Sequence, residues 1–442
     1  MKNIIKIHSR IPSFNQTIVI PGDKSISIRC ILLGAQANGK SKFYNLLESG
    51  DVKSTINAVK SLGVKIKKKK TFHEISGVGL NGFEYKKNLV IDCGNSGTLA
   101  RLLCGMLAGY NCEVKIIGDK SLSRRDFSRV VRPLKLFGVN FQNKKKKLPI
   151  KISGSKFLRP INYFEEKGSA QVKSSIMLAA LNTPGITSIT SKPSRNHTEN
   201  ILKYCLRLPI HIAKKRKLDV INLEGQKNFK SFDYKIPGDI SSAAFFIVLT
   251  LLSKNSKLKI KSVNVNESRT GILTILKRMG ANIKLVNKKF YNGEHNADLL
   301  IKSTKEFKSI NCPSSLNTKT IDEFLIIFLV CAKANGTSRF NKIHELRQKE
   351  SDRLKFAAQF LKKIGIKVKE KYDSLTIYGN PNLKLSGNFI VKNFLNDHRV
   401  FMMTCIAALS FGGKFKIHDK NSINSSFPNF LRIIRKLGAK IN

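Results

Sequence analysis

The sequence predicts an α/β fold of two similar domains, and three observations support that prediction. A helix that ends in an apolar-glycine-apolar step and then enters a short strand occurs at Leu62-Gly63-Val64, Phe137-Gly138-Val139, Met279-Gly280-Ala281, Ile364-Gly365-Ile366 and Leu437-Gly438-Ala439. A version without glycine near Leu208-Pro209-Ile210 completes a series of six, with copies about 70 to 85 residues apart. The turn Pro-Gly-Asp stands before the first copy at Pro21 and before the fourth at Pro237. Two sets of three repeats fit two similar domains better than a single doubly wound sheet.

The repeats also indicate the domain boundaries. Glycine fits the position after a helix because it adopts a positive φ angle without steric strain. We predict one domain over residues 22–237 and a second formed by residues 1–21 plus 238–442, so that the chain crosses between them twice. Lysine runs at residues 67–70 and 144–147 follow two of the repeat strands, and we predict them as solvated hairpin tips.

Length and charge narrow the class of protein. A chain of 442 residues with 41% hydrophobic content can bury one large core or two or three smaller ones, which argues against a disordered chain. The net charge of +51 would suit a nucleic-acid-binding protein, but the lysines are spread over every segment and alternate with apolar residues. We interpret the charge as a compositional bias; binding of nucleic acid and attraction of anionic substrates are the alternatives.

Cysteines and apolar runs indicate the compartment. The eight cysteines include no C-x-x-C pair, and Cys104, Cys331 and Cys405 lie within apolar helical runs, which is typical of reduced core residues. No run approaches the roughly 20 apolar residues of a membrane span, and no uninterrupted apolar signal segment precedes Ser13. The sequence therefore predicts a cytoplasmic protein without membrane association.

Two polar segments in the first half have the residues of an oxyanion-binding site. Pro21-Gly22-Asp23-Lys24-Ser25 is followed by Arg29 at the start of an apolar helix, which combines a turn, cations and hydroxyls. On its own it is also an ordinary capped helix start. Residues 90–98 form a strand and a glycine-rich turn that includes Gly97, and Arg101 follows in the next helix. The small residues let a ligand approach the backbone N–H groups.

Three further segments of the first half carry cations next to hydroxyl or amide side chains. They are Ser121-Leu122-Ser123-Arg124-Arg125, Ser169-Ala170-Gln171-Val172-Lys173-Ser174 and Ser194-Arg195-Asn196-His197-Thr198. This combination suits a polyol that bears a phosphate, because hydroxyls and amides can bind the alcohol groups. For the last segment, simple helix capping is the alternative.

The second half contains the densest cluster of charge. Residues 345–353, with the sequence Glu-Leu-Arg-Gln-Lys-Glu-Ser-Asp-Arg, precede an amphipathic helix that the apolar spacing predicts from about Ser351. If the helix begins early enough, Lys349, Glu350 and Arg353 share one face, which places a carboxyl group between two cations. Such an arrangement can bind an anion and transfer a proton. The alternative is that the acids favour the helix N-terminus while the basic residues are solvated.

Two other helix starts in the second half are charged. Asp322 and Glu323 precede the apolar helix of residues 324–332, where a buried carboxylate needs a partner. Asn396-Asp397-His398-Arg399 opens a further apolar helix. Taken alone, a histidine or arginine at such a position is usually structural.

Together these segments resemble the enolpyruvyl transferase family over nearly the whole chain, most closely the branch that acts on shikimate 3-phosphate. The resemblance lies in Asp23-Lys24-Ser25-Ile26-Ser27 with Arg29, residues 94–98 with Arg101, residues 169–173, residues 347–353 and Asp397-His398-Arg399. It implies two domains, each of three βαβαββ units with sheets around buried helices. That fold agrees with the six repeats. The chain departs from the family pattern at Ile28, Asp126, Asn196 and Leu325.

The resemblance implies transfer of the enolpyruvyl group of phosphoenolpyruvate to the 5-hydroxyl of shikimate 3-phosphate, with release of phosphate and without a metal or an organic cofactor. The residues suit this chemistry, since substrates with several negative charges need many cations. The addition also needs a base for the hydroxyl and an acid for the methylene carbon. The cations available are Lys24, Arg29, Arg101, Arg125, Lys349, Arg353 and Arg399.

The resemblance also implies roles for individual residues. The expected catalytic residues are Asp322, Glu350 and Lys24. Shikimate 3-phosphate is expected to contact Lys24, Ser25, Arg29, Ser169, Ala170, Gln171, Arg195, Asp322 and Lys349. Phosphoenolpyruvate is expected to contact Lys24, Gly97, Arg125, Gln171, Arg353 and Arg399. Gly97 would also lie against the herbicide glyphosate. The expected partners are the two small molecules, with no nucleic acid and no membrane, and the expected state is a monomer.

Two other functions are the alternatives. A UDP-N-acetylglucosamine enolpyruvyl transferase would share the fold and use phosphoenolpyruvate, but such proteins usually carry a reactive cysteine shortly before the arginine matched by Arg125. Residues 118–125 contain no cysteine. An RNA-end cyclase or nucleic-acid-binding protein of related fold would suit the positive charge, but it leaves the presence of both Asp322 and Glu350 unexplained.

Overall fold

The structure is a computed structural model that describes residues 3–142 and 146–442. Contacts divide the chain into two compact lobes: the first lobe comprises Gly22–Ile236 and the short segment Phe290–Glu294. The second lobe comprises Met1–Pro21, Pro237–Lys289 and His295–Asn442. Of the two predicted lysine tips, residues 67–70 lie at the exposed end of a pair of antiparallel strands. Lys144 and Lys145 of the other fall outside the described residues.

Helices alternate with strands along both lobes, as the predicted repeats require. Within the described residues the α-helices are α1 (Lys24–Gln36), α2 (Gly50–Ser61), α3 (Gly97–Met106), α4 (Ser128–Leu136), α5 (Ala170–Ala180), α6 (His197–Asn200), α7 (Ile240–Leu252), α8 (Gly271–Arg278), α9 (Asn317–Thr320), α10 (Phe324–Ala332), α11 (Arg353–Lys363), α12 (His398–Phe411) and α13 (Phe430–Lys436). Helix α6 continues directly into a π-helix over Ile201–Cys205. Short 3-10 helices lie at Leu122–Arg124, Ser314–Leu316, His344–Gln348 and Lys420–Ser425.

The strands are mostly short. In the same part of the chain they are β1 (Ile4–Ile7), β2 (Asn15–Val19), β3 (Asn38–Tyr44), β4 (Lys65–Lys68), β5 (Phe72–Val78), β6 (Leu89–Asp92), β7 (Glu113–Ile117), β8 (Asn140–Gln142), β9 (Ile150–Ser153), β10 (Asn162–Glu165), β11 (Ile186–Ser191), β12 (Ile210–Lys215), β13 (Leu218–Glu224), β14 (Tyr234–Lys235), β15 (Lys257–Asn264), β16 (Asn282–Tyr291), β17 (Glu294–Lys302), β18 (Phe307–Lys308), β19 (Asn311–Cys312), β20 (Ala334–Asn335), β21 (Thr337–Phe340), β22 (Val368–Glu370), β23 (Leu375–Tyr378), β24 (Leu385–Val391) and β25 (Gly412–His418).

Six sheets of the described chain repeat one pattern of strand pairing. In each, one strand pairs in parallel with one neighbour and antiparallel with the other; these strands are β3, β7, β11, β15, β21 and β25. The strand orders are β14-β3-β5-β4, β6-β7-β9-β8 and β10-β11-β13-β12 in the first lobe, and β16-β17-β15-β2, β19-β21-β23-β22 and β1-β25-β24 in the second. A parallel pair needs a crossover connection, which explains why helices separate the strands. The prediction of an α/β fold built from repeats is confirmed.

Five of the six repeated steps end a helix with a glycine in the left-handed region. Gly63, Gly138, Gly280, Gly365 and Gly438 follow α2, α4, α8, α11 and α13 with φ angles between 83° and 101°. In the sixth copy the left-handed residue is Arg207, with φ of 52°. The matching step is therefore Leu206-Arg207-Leu208, two residues before the predicted one. Pro209 cannot take this position because its ring fixes φ at about −65°.

Each lobe has its own apolar core around buried helices. In the second lobe every residue of α7, α10 and α12 is buried, because these helices are largely apolar on all faces and neighbours cover them completely. Cys104, Cys331 and Cys405 lie in such buried stretches, as predicted, and burial raises the pKa of the Cys104 and Cys331 thiols to about 12. In residues 3–142 and 146–442, no helix is both long and apolar enough to cross a membrane.

Candidate active site

In the first lobe, predicted site residues lie at the beginnings of α1, α3 and α5. At α1, the Asp23 side chain caps the helix by accepting from the Ile26 N–H at 3.0 Å. Lys24 is the first helical residue, and its Nζ pairs with Asp51 Oδ2 at 2.8 Å. Asp51 lies in the first turn of α2. The Lys24 side chain is 19% exposed, so a ligand can reach an ammonium group that is already held in place.

Arg29, one turn further along α1, is almost fully buried. Its Nε donates to Thr198 Oγ1 at 2.7 Å and its Nη2 donates to Ser174 Oγ at 2.8 Å. A third N–H group donates to the Ser25 carbonyl oxygen at 2.9 Å. These neutral oxygens orient the guanidinium. Arg29 also joins three elements, since Ser174 lies in α5 and Thr198 in α6.

The turn before α3 brings two guanidinium groups to one glycine. A Cβ atom on Gly97 would lie 2.8 Å from the Nη1 atoms of both Arg101 and Arg125. Arg101 donates to Gln171 Oε1 at 3.0 Å, and its guanidinium carbon lies 4.9 Å from the centre of the Phe127 ring. Gly97, Arg125 and Gln171, which were predicted to contact phosphoenolpyruvate, therefore belong to one cluster that Arg101 connects.

A chain of hydrogen bonds orients Arg125. Its Nη2 donates to Asn95 Oδ1 at 2.8 Å, and Asn95 Nδ2 donates to Asp119 Oδ2 at 2.6 Å. The carboxylate of Asp126, which departs from the family pattern, is engaged elsewhere: it accepts from the Ser128 N–H at 2.6 Å and from Ser128 Oγ at 2.9 Å. Burial works to raise the pKa of Asp126, but the hydrogen bonds from Ser128 lower it overall.

The start of α5 presents three predicted residues. Ser169 caps the helix by accepting from the Val172 N–H at 3.4 Å, and its own N–H donates to Glu165 Oε2 at 2.7 Å. Ser169, Ala170 and Gln171 are all partly exposed there. A ligand can therefore contact these side chains at the helix start without a change in the backbone.

Lys173, one turn into α5, is not a surface cation. Its Nζ lies 2.5 Å from Glu199 Oε1, and both side chains are buried. This pair ties α5 to α6, and breaking it would leave a buried charge without compensation. Arg195, which is partly exposed, precedes α6 by two residues. Its predicted role thus depends on a helix start that buried contacts hold in place.

In the second lobe, α11 begins at Arg353, two residues later than predicted. The Asp352 side chain caps the helix by accepting from the Lys355 N–H at 2.9 Å, and the backbone of Lys349 is extended. Lys349 and Glu350 therefore lie before the helix and do not share a helical face with Arg353. The apolar spacing located the helix, but the capping preference of aspartate decided its first residue. The carboxyl group still meets a cation, because Glu350 Oε2 is 2.5 Å from Arg353 Nη2.

Arg353 is buried and binds a second carboxylate. Its Nε donates to Asp397 Oδ2 at 2.8 Å and its Nη2 donates to Asp397 Oδ1 at 3.1 Å, a two-point pair. Burial works to lower the pKa of Arg353, but Asp397 and Glu350 raise it above its ordinary value. Burial likewise works to raise the pKa of Asp397, and the charge of Arg353 lowers it overall. Asp397 also caps α12, so this pair fixes Arg353 to the start of that helix.

Asp322 lies among three cations. Its Oδ1 is 3.5 Å from Lys349 Nζ and 3.6 Å from Arg353 Nη1. Its Oδ2 is 4.0 Å from Arg399 Nη2, and Arg399 Nη1 donates to the Asp322 backbone carbonyl at 2.7 Å. The Asp322 side chain is 16% exposed. The structure thus brings together five predicted residues from three separate segments: Asp322, Lys349, Glu350, Arg353 and Arg399.

A buried network lies next to Arg399. Glu323 Oε1 accepts a hydrogen bond from Ser241 Oγ and lies 3.9 Å from Arg399 Nη1. Arg269 donates to the same Ser241 Oγ at 2.8 Å and to Asp239 Oδ1 at 3.2 Å. Asp239 belongs to the second Pro-Gly-Asp turn, which was visible in the sequence. Arg269 was missed, because an arginine outside any motif gives no sign that it is buried.

Two charged residues have structural partners that the sequence did not indicate. Arg347 pairs with Asp352 at 2.9 Å and with Glu370 at 2.7 Å, so it stabilises the approach to α11. Asp51 pairs with Lys24. The position of Asp51 after a glycine at a helix start was a weak sign of a functional carboxylate, because acids are common there for the helix dipole alone.

The two clusters support different chemistry. Arginines that hydrogen bonds hold in one direction can bind a phosphate or a carboxylate, and the first lobe supplies Arg29, Arg101 and Arg125. Carboxylates can act as a general acid or base, and the second lobe holds Asp322 and Glu350 in place beside cations. In residues 3–142 and 146–442, no three His, Cys, Asp or Glu side chains are arranged as metal ligands.

Comparison with known sequences agrees with the resemblance seen in the motifs. The chain matches the family described as EPSP synthase (3-phosphoshikimate 1-carboxyvinyltransferase) over residues 10–434. A protein of that name from Petrotoga mobilis is 40% identical over 434 residues, which cover 96% of this chain and 97% of the relative. Another of that name from Thermodesulfovibrio yellowstonii is 40% identical over 441 residues, which cover 99% of this chain and 100% of the relative.

Solved structures agree. The EPSP synthase from Acinetobacter baumannii superposes with a TM-score of 0.86 at 34% identity, covering 99% of both chains. The enolpyruvyl transferase NikO from Streptomyces tendae superposes with a TM-score of 0.78 over 99% of this chain and 98% of its own, at 14% identity. The second likeness shows the fold alone. The first shows that sequence and fold point to the same group of proteins.

Proposed function

The chain belongs to the family of EPSP synthases (3-phosphoshikimate 1-carboxyvinyltransferases), and from this premise we propose which of its side chains carry the reaction. It is an enzyme that transfers the enolpyruvyl group of phosphoenolpyruvate to the 5-hydroxyl of shikimate 3-phosphate and releases phosphate. The reaction belongs to the shikimate pathway, which leads to chorismate and the aromatic amino acids.

One observation carries the assignment of the catalytic residues: the Asp322 and Glu350 carboxylates lie 3.6 Å and 2.5 Å from the same guanidinium group, that of Arg353. In the addition, the 5-oxygen bonds to C2 of phosphoenolpyruvate, its proton leaves to a base, and C3 gains a proton from an acid. In the elimination, the bond from C2 to the phosphate oxygen breaks and C3 loses a proton. We assign these proton transfers to Asp322 and Glu350.

The proposed substrate contacts are those that the resemblance to the family implies. We propose that shikimate 3-phosphate is bound by Lys24, Ser25, Arg29, Ser169, Ala170, Gln171, Arg195, Asp322 and Lys349. We propose that phosphoenolpyruvate is bound by Lys24, Gly97, Arg125, Gln171, Arg353 and Arg399. Lys24 is assigned to both, and a cation next to both substrates would stabilise charge that develops during transfer, so we include it among the catalytic residues.

The first-lobe geometry supports the binding of anions. Arg29 is oriented by hydroxyl and carbonyl oxygens, and Arg125 by the side-chain oxygen of Asn95. Such groups keep a guanidinium in a fixed direction, which lowers the entropic cost of binding a phosphate or carboxylate. Gly97 leaves space next to Arg101 and Arg125 that any side chain would fill.

The variants Asp322→Asn and Glu350→Gln test the catalytic assignment. Each is expected to lower kcat by roughly a hundredfold or more, the range for the loss of a general acid or base, while both substrates still bind. Phosphate release measures turnover, and calorimetry measures the binding of shikimate 3-phosphate. Glu370→Gln is the matched control, because it removes a carboxylate 2.7 Å from a different arginine, Arg347.

The control variant should keep its turnover. Near wild-type turnover in a folded Asp322→Asn or Glu350→Gln protein would remove that residue from the acid–base chemistry. A loss of substrate binding with unchanged kcat at saturation would give the residue a binding role instead.

We also propose that the enzyme acts in the cytoplasm as a monomer with no metal or organic cofactor. The eight cysteines without a C-x-x-C pair favour a reducing compartment. The monomer rests on the sequence resemblance, and light scattering at the concentrations of the activity assay tests it. Turnover that survives a metal chelator would agree with the absence of a metal.

A further inference from the structure

The segment Phe290–Glu294, at the turn between β16 and β17, belongs to the first lobe although it is remote in sequence from the rest of that lobe. Asn292 and Gly293 form the turn, with φ angles of 49° and 81°. Glu294 follows at once and is only 1% exposed. A carboxylate next to a hairpin turn is normally solvated, so its burial calls for specific partners.

Glu294 has those partners in and next to α6. Its Oε1 lies 2.7 Å from His197 Nδ1 and accepts from Asn200 Nδ2 at 3.1 Å. Asn200 Nδ2 also donates to the Gly293 carbonyl at 2.7 Å. His197 and Asn200 are both buried. Because a carboxylate oxygen only accepts, His197 must donate from Nδ1 to complete this arrangement.

The packing around these bonds is tight. A Cβ atom on Gly293 would lie 2.6 Å from Tyr204 Cδ2 and 2.9 Å from Asn200 Cβ, so only glycine fits the turn. The rings of Tyr204 and Phe290 meet edge to face with centres 5.5 Å apart. Tyr204 lies in the π-helix that continues α6, a form of helix that is rare and needs support from its surroundings.

Helix α6 carries or adjoins residues that we assign to shikimate 3-phosphate. Arg195 lies two residues before its first residue, His197. Thr198, the next residue, accepts from Arg29 Nε at 2.7 Å and shares a hydrogen bond with Ser174 at 2.7 Å. A four-residue helix has few hydrogen bonds of its own, so external contacts decide where it lies.

We propose that Glu294 is a positioning residue for shikimate 3-phosphate: through His197 and Asn200 it holds α6, and with it Arg195 and the Thr198 acceptor of Arg29. This inference rests on the proposed binding roles of Arg29 and Arg195. Glu294 does not touch the substrate itself. Loss of the Glu294 carboxylate would release the start of α6 and misplace Arg195 and Arg29. The affinity for shikimate 3-phosphate would fall, while the rate of the chemical step would not change.

Steady-state kinetics of Glu294→Ala test the proposal. The KM for shikimate 3-phosphate is expected to rise roughly tenfold, because the hydrogen bonds that Glu294 makes with His197 and Asn200 are lost. The KM for phosphoenolpyruvate and kcat are expected to stay within about twofold of the wild type, which corresponds to less than about 0.5 kcal/mol. A purely structural role would instead lower the melting temperature and the active fraction while leaving both KM values unchanged.

Two conservative variants and one control sharpen the result. Glu294→Gln keeps an acceptor at the same reach and should restore most of the affinity for shikimate 3-phosphate. Glu294→Asp keeps the charge but shortens the reach to His197, so its KM for shikimate 3-phosphate should rise. Comparing the aspartate variant with the wild type tests the proposal even if the alanine variant does not fold. Asp298→Asn removes another hydrogen-bonded carboxylate of the same strand, 2.9 Å from the Ser262 N–H, and should leave both KM values unchanged.

Arg195→Ala and Arg29→Lys separate this inference from the one on which it rests. If both raise the KM for shikimate 3-phosphate while Glu294→Ala and Glu294→Asp do not, the positioning role is wrong and the binding assignment stands. If none of the four changes that KM, the binding assignment itself is wrong. An equal rise in both KM values for Glu294→Ala would show general damage and would also overturn the proposal.

Discussion

At the scale of single residues, the arginines of the two clusters differ in their partners. Arg29 donates to neutral oxygens, Thr198 among them, whereas Arg353 binds the carboxylates of Asp397 and Glu350. A neutral acceptor orients a guanidinium, while a carboxylate also compensates its charge. Oriented guanidinium groups suit the anion binding that we propose for Arg29 and Arg125. Arg353, which we also assign to phosphoenolpyruvate, holds the carboxylates of Asp397 and Glu350 beside it.

Gly97→Ala is expected to weaken glyphosate more than phosphoenolpyruvate. The new methyl group would lie 2.8 Å from the ends of Arg101 and Arg125, so both guanidiniums must move. Both are flexible side chains, so we expect the lower part of the range of about 1 to 3 kcal/mol for overpacking, or roughly a five- to tenfold rise in the KM for phosphoenolpyruvate. Glyphosate is slightly longer and should lose more. Inhibition constants and KM values for both proteins measure the two effects.

The same change at Gly365 is the control, because a Cβ atom there meets nothing within 4 Å. It should alter neither constant. Equal losses for inhibitor and substrate in Gly97→Ala, or a wild-type enzyme that glyphosate does not inhibit, would contradict the steric account.

The charged residues of both clusters could be predicted, because the motifs at helix starts are local features of the sequence. The residues that pair with them could not be predicted. Arg353 binds Asp397 across 44 residues, and His197 meets Glu294 across 97. Pairs at such separations depend on how the repeats pack, and no local pattern marks the carboxylate of Glu294 as different from a solvated one.

At the scale of elements, helix starts organise both clusters. Side chains cap five helices that carry proposed site residues; the caps are Asp23, Ser96, Ser169, Asp352 and Asp397. Asp239 caps α7 in the same way. A cap fixes the first turn, and the backbone N–H groups of that turn favour anions. The arrangement recurs at the largely buried helices α1, α3, α5, α7 and α12, whereas α11, which Asp352 caps, is exposed on one face.

Asp397 should make stability depend on pH in the acid range. The charge of Arg353 holds its pKa below the ordinary value of 3.8 despite complete burial. A carboxyl group with a lowered pKa in the folded state stabilises the protein fully above its unfolded pKa and loses that effect as the pH falls through the folded value. We therefore expect the gap in unfolding free energy between wild type and Asp397→Asn to be largest near pH 7.

That gap should be constant down to about pH 5 and shrink below about pH 4, where Asp397 of the unfolded chain begins to bind a proton while the folded protein still keeps the carboxylate ionised. Urea unfolding at a series of pH values measures it. A gap that is independent of pH between 2 and 7, or that widens in acid, would contradict the ion pair as the source of the stability.

Helix ends should differ in their tolerance of side chains. Gly365 has φ of 83° and open space around its Cβ position, so Gly365→Ala isolates backbone strain and is expected to cost about 1 kcal/mol. Arg207 has φ of 52°, at the centre of the left-handed region that other residues occasionally adopt. Arg207→Gly is expected to change stability by less than about 0.5 kcal/mol, because relief of strain and the entropy of the unfolded glycine nearly cancel.

Urea denaturation of both variants provides the comparison. A Gly365→Ala protein as stable as the wild type would show that the left-handed cap does not need glycine at this step. The helix ends were the best predicted features of the elements, since glycine marks them directly. The start of α11 was predicted two residues early, because apolar spacing continues past the capping residue and does not show where the helix begins.

For the whole molecule, the six-fold repetition could be predicted from the sequence, but the pairing of distant strands within a lobe could not. The repeats gave the number of units and their α/β class, since each contains the same helix-glycine-strand step. The pairing of β2 with β15, or of β1 with β25, joins strands more than two hundred residues apart, as with Ile4 and His418. Our division into domains of residues 22–237 and 1–21 plus 238–442 stays a prediction about how the protein folds.

The net charge of +51 belongs to the whole molecule as well. The cations proposed to bind substrate are a small part of the 80 lysines and arginines, so the site does not account for the excess. A dispersed charge attracts anionic substrates at long range, and that attraction is screened at physiological salt. We assign no specific partner to it.

Phosphate release by the purified wild-type protein tests the proposed reaction most directly. Phosphoenolpyruvate and shikimate 3-phosphate are supplied together, and then each is omitted in turn. We predict that phosphate appears only with both, one molecule for each shikimate 3-phosphate consumed. Release from phosphoenolpyruvate alone, release with UDP-N-acetylglucosamine in place of shikimate 3-phosphate, or no release from the complete mixture would contradict it.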